Sequence, residues 1–211
     1  MGYRQCNYEK KDYSNLKIKK KDLCNLIDKR IRCENQKGLH YKKISNKNSS
    51  YYKDFEQFYE LKCAYCGINT SINPTNMFEI DHFINEKQKK TPEGENVNHI
   101  ENLVFSCRKC NQAKGDFHVN GAYEVLHPDK GLLPHVFERD SQYGITINQK
   151  YTENKTVKEF YNKLGFSNYL RKLDYLLLNL YYLKDEKCDE IIRNTILRVY
   201  VQLLDLRNRQ V

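Results

Sequence analysis

The chain has 211 residues, which is enough for one domain with its own hydrophobic core. Its apolar content of 39% is low but within the range of folded proteins, so wholesale disorder is not indicated. The formal net charge of +9 favours a polyanionic partner, and no apolar run is long enough to cross a membrane. Because polar residues follow Met1 at once, we expect no signal peptide and a cytoplasmic protein whose thiols stay reduced.

The positive charge is concentrated in residues 1–53, which we predict to be a basic N-terminal arm. They carry 15 Lys and Arg against 5 Asp and Glu, whereas the rest of the chain is close to neutral. Lys19, Lys20 and Lys21 belong to the densest cluster, and we predict that they contact the phosphates of a nucleic acid. A lysine-rich segment that serves only solubility is the alternative. Asp22 is a candidate cap for a short helix after this cluster.

A second helix is predicted to begin at Ser50 and to lead into a core region at residues 54–120. Its aromatic residues recur at helical spacing, which favours a buried face, although stacking on bases is an alternative. The residues of this aromatic stripe are Tyr51, Tyr52, Phe55, Phe58 and Tyr59.

Two Cys-x2-Cys pairs frame the next part of the chain. The first pair is Cys63 and Cys66, and the second is Cys107 and Cys110. Four thiolates complete a tetrahedral structural zinc site, so we predict one bound Zn2+. Unligated buried thiols and disulfide bonds are the alternatives. The two matched spacings disfavour unligated thiols, and a reducing compartment disfavours disulfide bonds.

The segment between the pairs has a pattern of its own. Residues 77–84 read as an apolar strand with Asp81-His82 near its end, and residues 103–105 read as a second short strand. Residues 108–114 suit a short helix that ends at Gly115. The predicted order is therefore strand, loop, strand, helix.

This arrangement resembles the HNH nuclease family, whose ββα-metal core has the pattern Cys-x2-Cys, Asp-His, Asn-Leu and Cys-x2-Cys-Asn-x2-Lys. The resemblance covers about a quarter of the chain. Asn111 stands where many relatives carry His, so the chain is similar to the HNN variant and to the HNH domain of CRISPR-type effectors. The proline that usually follows Asp-His is absent. The resemblance implies an α+β fold in which a four-cysteine zinc site staples the core, with N-terminal helices and a C-terminal helical tail.

The resemblance also implies a role for each signature residue. His82 is the expected general base, because imidazole titrates near neutrality. Asp81 and Asn111 are expected to hold a catalytic Mg2+ or Mn2+ through their oxygens. Asn102 is expected to tie the loop backbone so that His82 is oriented, and Lys114 to contact phosphate. Taken singly, each of these residues would be an ordinary surface or turn residue.

The remainder of the chain is predicted to form a loop and hairpin at residues 121–150 and a helical region at residues 151–211. The first of these looks like the segment that follows the motif in anti-phage HNH effectors, including the nuclease subunit of Septu-type systems. Thr156 and Ser167 are candidate helix caps. The last helix carries an apolar stripe, which favours either an intramolecular bundle or a docking surface for a second protein or a second copy. This C-terminal stripe consists of Ile192, Ile196, Val199, Leu203 and Leu206.

These patterns predict a metal-dependent HNH endonuclease that cuts DNA as an effector of prokaryotic anti-phage defence. A zinc-knuckle nucleic-acid-binding adapter without activity and an RNA-directed nuclease are the alternatives, since no residue recognisably reads a base edge or a 2′-hydroxyl. No glycine-rich phosphate loop is present, so an ATPase function would reside in a partner. His118 is a rival candidate for the catalytic ion.

Overall fold

The computed structural model describes residues 2–9, 15–34, 40–119, 121–184, 186 and 189–209. Within these residues the fold is mixed, with nine α-helices and two small antiparallel sheets, which confirms the predicted α+β class. The helices are α1 (Leu16–Cys33), α2 (His40–Ile44), α3 (Ser50–Phe58), α4 (Arg108–Lys114), α5 (Tyr123–Leu126), α6 (Leu133–Val136), α7 (Lys155–Lys163), α8 (Tyr169–Leu183) and α9 (Glu190–Asn208). The strands are β1 (Phe78–His82), β2 (Leu103–Cys107), β3 (Phe137–Arg139) and β4 (Ile145–Ile147).

The centre of the fold is a ββα unit, as predicted. Strands β1 and β2 pair antiparallel in a register that runs from Phe78 opposite Cys107 to His82 opposite Leu103. Alternate β1 residues face opposite sides, and the ring of Phe78 stacks on Phe105 in the core at a centroid distance of 4.8 Å. Helix α4 begins directly after β2 and packs on both strands. Residues at the end of β1 and along α4 are thereby brought to one place.

Helix α1 begins at Leu16, six residues before the predicted cap. Asp22 therefore lies inside the helix, and the predicted cap is wrong. The buried face of α1 includes Ile27 and Ile31, which pack in the main core. The basic arm is thus anchored to the domain by an amphipathic helix rather than loosely attached.

Helix α3 begins where the sequence predicts, because the Ser49 hydroxyl accepts the Tyr52 N–H at 3.0 Å as an N-cap. Tyr51, Tyr52 and Phe55 are buried, and Tyr59 follows them into the core. The aromatic stripe is consequently core rather than a platform for bases.

The C-terminal helices are capped by asparagines instead of the predicted residues. Asn154 accepts the Val157 N–H at 3.1 Å, and Asn168 accepts the Leu170 N–H at 2.8 Å. Thr156 lies inside α7 and Ser167 lies before the cap of α8, so both predicted caps are wrong by one or two residues. Several capping residues stand side by side at each boundary, and only the backbone path decides which one is used.

Helices α8 and α9 differ in their burial. Apolar residues of α8, among them Leu177 and Leu178, lie in the main core. No described residue of α9 is buried, and this helix packs on the surface of α8. One hydrophobic cluster runs from Tyr3 to Leu178 and draws on each of the four predicted regions. Among the described helices, none combines the length and the apolar character needed to span a bilayer.

Candidate active site

Four cysteine thiols converge beside the ββα unit. Cys63, Cys66, Cys107 and Cys110 are buried, free of disulfides, and lie with their sulfur atoms within 4.8 Å of one another. The Cys66 and Cys107 sulfurs are 3.8 Å apart, and two thiolates at 2.3 Å from a tetrahedral zinc are expected to be about 3.8 Å apart. The donor set and its spacing fit one structural Zn2+.

A buried arginine from the C-terminal region contacts the zinc-binding cysteines. Arg171 of α8 donates one N–H to the Cys110 sulfur at 3.2 Å and another to the Leu164 carbonyl at 2.9 Å. A zinc tetrathiolate carries a net charge of −2, which a buried guanidinium partly balances. Helix α8 is therefore part of the zinc site's support, a contact that the sequence analysis missed.

The first zinc knuckle depends on the glycine that follows it. Gly67 has φ of +78°, and a Cβ at this position would lie 2.7 Å from the backbone oxygen of Arg4. Both the left-handed conformation and the close approach require glycine. The N-terminal segment is in this way packed directly against the knuckle.

His82 lies at the end of β1 with its ring half-buried and oriented by two residues. Its Nε2 lies 3.0 Å from the Asn98 side-chain oxygen, and its ring packs against Tyr41 with centroids 4.3 Å apart. Asn98 uses its amide nitrogen to contact Asn96 at 3.3 Å, so its oxygen faces the imidazole. Nε2 of His82 is then the protonated nitrogen and Nδ1 keeps its lone pair.

The protonation state of His82 favours a base. Burial lowers the pKa of His82 below its ordinary value, and the hydrogen bond to Asn98 only partly opposes this effect. A histidine whose pKa is lowered is neutral at physiological pH. His82 can therefore accept a proton at Nδ1.

Asn102 ties together the ends of the loop between the strands. It is fully buried, and its side-chain nitrogen donates to the carbonyls of Ile84 at 2.9 Å and Val97 at 2.8 Å. Its side-chain oxygen accepts the Ile84 N–H at 2.8 Å. Asn98 follows Val97 directly, so Asn102 fixes the backbone next to the residue that contacts His82.

Asp81 lies on the opposite side of β1 from His82 and faces the helix and the zinc knuckle. Its carboxylate accepts the Tyr65 hydroxyl at 2.6 Å and lies 3.3 Å from the Lys114 ammonium. Burial raises the pKa of Asp81 to about 6, against the opposing effects of Lys114 and Tyr65. The sequence did not predict that these two residues hold the carboxylate.

Lys114 is a core residue. Its side chain is 1% exposed, and its ammonium donates to the His82 carbonyl at 2.9 Å and to the Gly115 carbonyl at 3.3 Å. The predicted phosphate contact is wrong for this residue, because no face of the ammonium is open to a substrate. Lys114 instead joins the end of α4 to the end of β1.

Asn111 projects from α4 toward β1 and meets a residue that the sequence analysis did not single out. Its amide nitrogen donates to the Glu79 carboxylate at 2.7 Å, and Arg108 donates to the same carboxylate at 2.8 Å. Partial burial raises the pKa of Glu79, but the hydrogen bonds from Asn111 and Arg108 outweigh it, so the pKa lies below its ordinary value. Alternation along β1 places Glu79 on the same side as Asp81, which is the signal that could have identified it.

The oxygens of Asp81 and Asn111 thus come from β1 and α4, the two elements joined by the Glu79 contact. A carboxylate oxygen and an amide oxygen are ligands of the kind that a hard divalent cation takes. His118, the rival candidate, lies beyond α4 and its Nδ1 contacts the Gln88 amide at 3.0 Å. The assignment of the catalytic ion to Asp81 and Asn111 rather than to His118 stays a prediction.

The three lysines of the predicted DNA-binding cluster do not share one environment. Lys19 and Lys21 are exposed on α1. Lys20 is 3% exposed and its ammonium binds Asp129, the Tyr59 hydroxyl at 3.0 Å and the Leu103 carbonyl at 2.6 Å. The prediction that Lys20 contacts DNA is wrong, because helical periodicity turns it to the core.

Comparison with known proteins identifies the central part of the chain. Residues 63–117 match the family model described as HNH endonuclease, and the match extends from the first zinc cysteine to just past α4. No curated protein and no solved structure matches the chain. The resemblance of residues 121–150 to a Septu-type nuclease subunit has no support from these comparisons. The matched residues coincide with the zinc-stapled ββα unit, and residues 63–117 are an HNH endonuclease domain.

Proposed function

We propose that the protein is a divalent-metal-dependent endonuclease that hydrolyses DNA phosphodiester bonds. The observation that carries the proposal is the position of His82 within residues 63–117, at the end of β1, where the side-chain oxygen of Asn98 lies 3.0 Å from its Nε2. Burial lowers the pKa of His82, which suits a general base. Nucleases of the HNH family use divalent metals, and Asp81 and Asn111 would hold Mg2+ or Mn2+ at this site.

His82, the residues that orient it and the bound ion each have a separate role in the hydrolysis. The oxygen of a water attacks phosphorus while its proton passes to Nδ1 of His82, and the bond to the leaving oxygen breaks. Asn98 and Tyr41 keep the ring in place during the transfer, since a misoriented imidazole would no longer contact the proton of the attacking water. The bound ion would supply positive charge to the phosphate and the leaving oxygen.

The substrate class follows from charge. The exposed lysines of α1 include Lys17, Lys19 and Lys21, and exposed cations attract a polyanion without reading its sequence. DNA is the proposed polyanion because of the resemblance to DNA-cutting HNH domains. From the resemblance of residues 121–150 to the corresponding segment of anti-phage HNH effectors, we propose that the enzyme acts as a defence effector whose partner, such as an ATPase, controls it.

The test compares the parent with His82→Ala on supercoiled plasmid and on linear RNA, each with Mg2+, Mn2+ or EDTA. We expect metal-dependent plasmid cutting by the parent and a rate lower by roughly 10²–10⁴-fold in the variant, because only the base is lost. His118→Ala is the matched control and should cut like the parent, since its ring contacts Gln88 rather than β1.

Three outcomes would contradict the proposal in different ways. Undiminished cutting by His82→Ala would remove His82 from the mechanism. A parent that binds DNA but cuts neither substrate with any ion would be an adapter. A parent that cuts only RNA would have the proposed chemistry on a different substrate.

A further inference from the structure

A second cluster of metal-ligand side chains lies outside the four-cysteine zinc site and outside the active site. Cys24 comes from the middle of α1, His40 begins α2, and His99 caps the 3-10 turn before β2. Cys24 and His40 are buried, and one ligand atom from each of the three residues lies within 4.8 Å of the others. Three separate segments therefore converge at one point.

The spacing of the donors suits a tetrahedral ion. The Cys24 sulfur lies 3.7 Å from His99 Nε2. This agrees with the separation of about 3.6 Å expected for a sulfur and a nitrogen bound to one tetrahedral zinc at 2.3 Å and 2.0–2.1 Å. Asp28, one turn after Cys24, adds a carboxylate. Its two oxygens lie 2.8 Å from His40 Nε2 and 3.9 Å from the Cys24 sulfur.

Backbone groups fix the orientation of both rings. The Nδ1 atoms of His40 and His99 face the N–H groups of Ile100 at 3.1 Å and Glu101 at 3.4 Å. This leaves both Nε2 atoms facing Cys24 and Asp28. An ion takes the Nε2 lone pairs, so the ring protons move to Nδ1, and the Ile100 and Glu101 N–H groups must then turn away because two donors cannot face each other. The cost of losing these two hydrogen bonds and of leaving their donors unpaired is smaller than the binding energy of a structural zinc site.

We propose that Cys24, His40 and His99 form a second metal site, with the Asp28 carboxylate beside it, which binds a zinc-class transition metal. Thiolate and imidazole donors select such ions over Mg2+ or Ca2+. One thiolate and one carboxylate also balance the charge of a divalent cation, which matters because Cys24 and His40 are buried.

The position of this second metal site relates it to the active site, a step that rests on the proposed function. His40 precedes Tyr41, whose ring packs on His82, and His99 follows Asn98, whose oxygen holds Nε2 of His82. The Tyr41 N–H also donates to the Asn98 carbonyl at 3.2 Å. An ion that joins His40 to His99 would clamp together the two residues that orient the catalytic imidazole.

The first test is the zinc content of the purified protein after dialysis, measured by mass spectrometry. We expect two zinc ions per chain in the parent and one in Cys24→Ala. Cys33→Ala is the matched control, because Cys33 is an exposed cysteine on the same helix, and it should retain two. A folded parent that holds one zinc at saturation overturns the proposal. This result does not depend on nuclease activity, so failure of the second metal site and failure of the proposed function are distinguishable.

The second test covers the possibility that Cys24→Ala fails to fold. Asp28→Asn keeps three ligands and removes only the carboxylate charge, so it should fold and should release one of its two ions at least tenfold faster to a chelator. Hydrogen exchange then measures whether the ion holds Tyr41 and Asn98 together. The Tyr41 amide should exchange faster after that ion has left. Identical release from Asp28→Asn and the parent, with unchanged exchange at Tyr41, would contradict the site and its clamp.

Discussion

The Nε2 of His82 donates a hydrogen bond to the side-chain oxygen of Asn98 at 3.0 Å. Asn98 lies in the loop between the two strands, and Asn102 fixes the backbone of that loop on the side of residue 97. The imidazole is thus oriented by a residue outside the strand that carries it. Asn98 is a positioning residue, and its effect on activity can be separated from an effect on folding.

We predict that Asn98→Ala lowers kcat by about tenfold or more, because residues that orient a catalytic group typically contribute 10–100-fold. Zinc content and melting temperature should stay close to those of the parent. In Asn98→Asp the carboxylate would stabilise the imidazolium and raise the pKa of His82. The acidic limb of the pH–activity profile should then move to higher pH, and equal profiles for Asn98→Asp and the parent would contradict the assigned contact.

Arg171 should control how tightly the four-cysteine site holds zinc. Arg171→Met removes the N–H that meets the Cys110 sulfur at 3.2 Å and the positive charge beside the thiolates. We expect zinc transfer to a chromophoric chelator to become roughly 10–100-fold faster. Lys172→Met, a partly exposed neighbour on α8, serves as the control. If both variants lose zinc at the parent's rate, Arg171 does not support the site.

The lysines of α1 should separate into binding and structural residues. Replacement of Lys17, Lys19 and Lys21 by Gln should weaken binding to all DNA sequences alike and flatten the salt slope by roughly 0.9 per lost phosphate contact. Lys20→Met should instead reduce the free energy of unfolding by about 3–5 kcal/mol, since it leaves the buried Asp129 carboxylate unpaired. Fluorescence anisotropy at several salt concentrations and urea unfolding measure the two effects. An unchanged salt slope in the triple variant would assign the exposed charges to solubility.

His127 should make the fold sensitive to mild acid. It is 1% exposed, Nε2 donates to the Glu101 carbonyl at 3.1 Å, and Nδ1 accepts the Asp129 N–H at 3.2 Å. Burial lowers the pKa of His127 to about 3, whereas an unfolded histidine titrates near 6.5. The unfolded state therefore takes up a proton first as the pH falls below that value, and the stability contributed by neutral His127 is lost. Between pH 7.5 and pH 5 this proton uptake should lower the free energy of unfolding by about 2 kcal/mol.

The measurement is urea unfolding of the parent and His127→Gln at several pH values. Glutamine does not titrate, so the variant should lose less stability than the parent across the same interval, whatever its stability at pH 7.5. Parallel pH dependences would show that His127 does not titrate on unfolding.

The C-terminal stripe should tolerate charge where the helix is exposed. Val199 is 37% exposed and Ile192 is 49% exposed, whereas Leu203 and Leu204 pack on the core from α9. We predict that Val199→Glu stays folded, with a change of about 1 kcal/mol or less, and loses contact with a second copy or a partner. Leu204→Glu is the control that should destabilise the fold more than Val199→Glu, because it places a carboxylate where Leu204 packs on the core. Circular dichroism measures whether each variant is folded, and light scattering measures its association state. An unfolded Val199→Glu variant of a monomeric parent would count against a docking surface.

The sequence by itself determined the parts of the protein that depend on local spacing. The x2 spacing of the cysteine pairs predicted the four-cysteine cluster. The apolar residues around Asp81-His82 and at 103–105, with a short helix ending at Gly115, predicted the ββα order. Both patterns are set within a few residues, so they can be read without knowledge of the fold. The same is true of the aromatic stripe of α3, whose helical period indicated a buried face.

Only the tertiary structure decided which partners those residues meet. Lys20 and Lys114 look like surface cations in the sequence, yet both are buried against acceptors that lie far away in the chain. Asn98 beside His82 and Arg171 beside Cys110 are likewise long-range contacts. Composition and helical or strand period indicate whether a residue prefers a buried or an exposed face. A buried lysine, however, is stable only where packing supplies a carboxylate and carbonyls to replace water. That supply depends on how α1, α4 and α8 assemble around the strands.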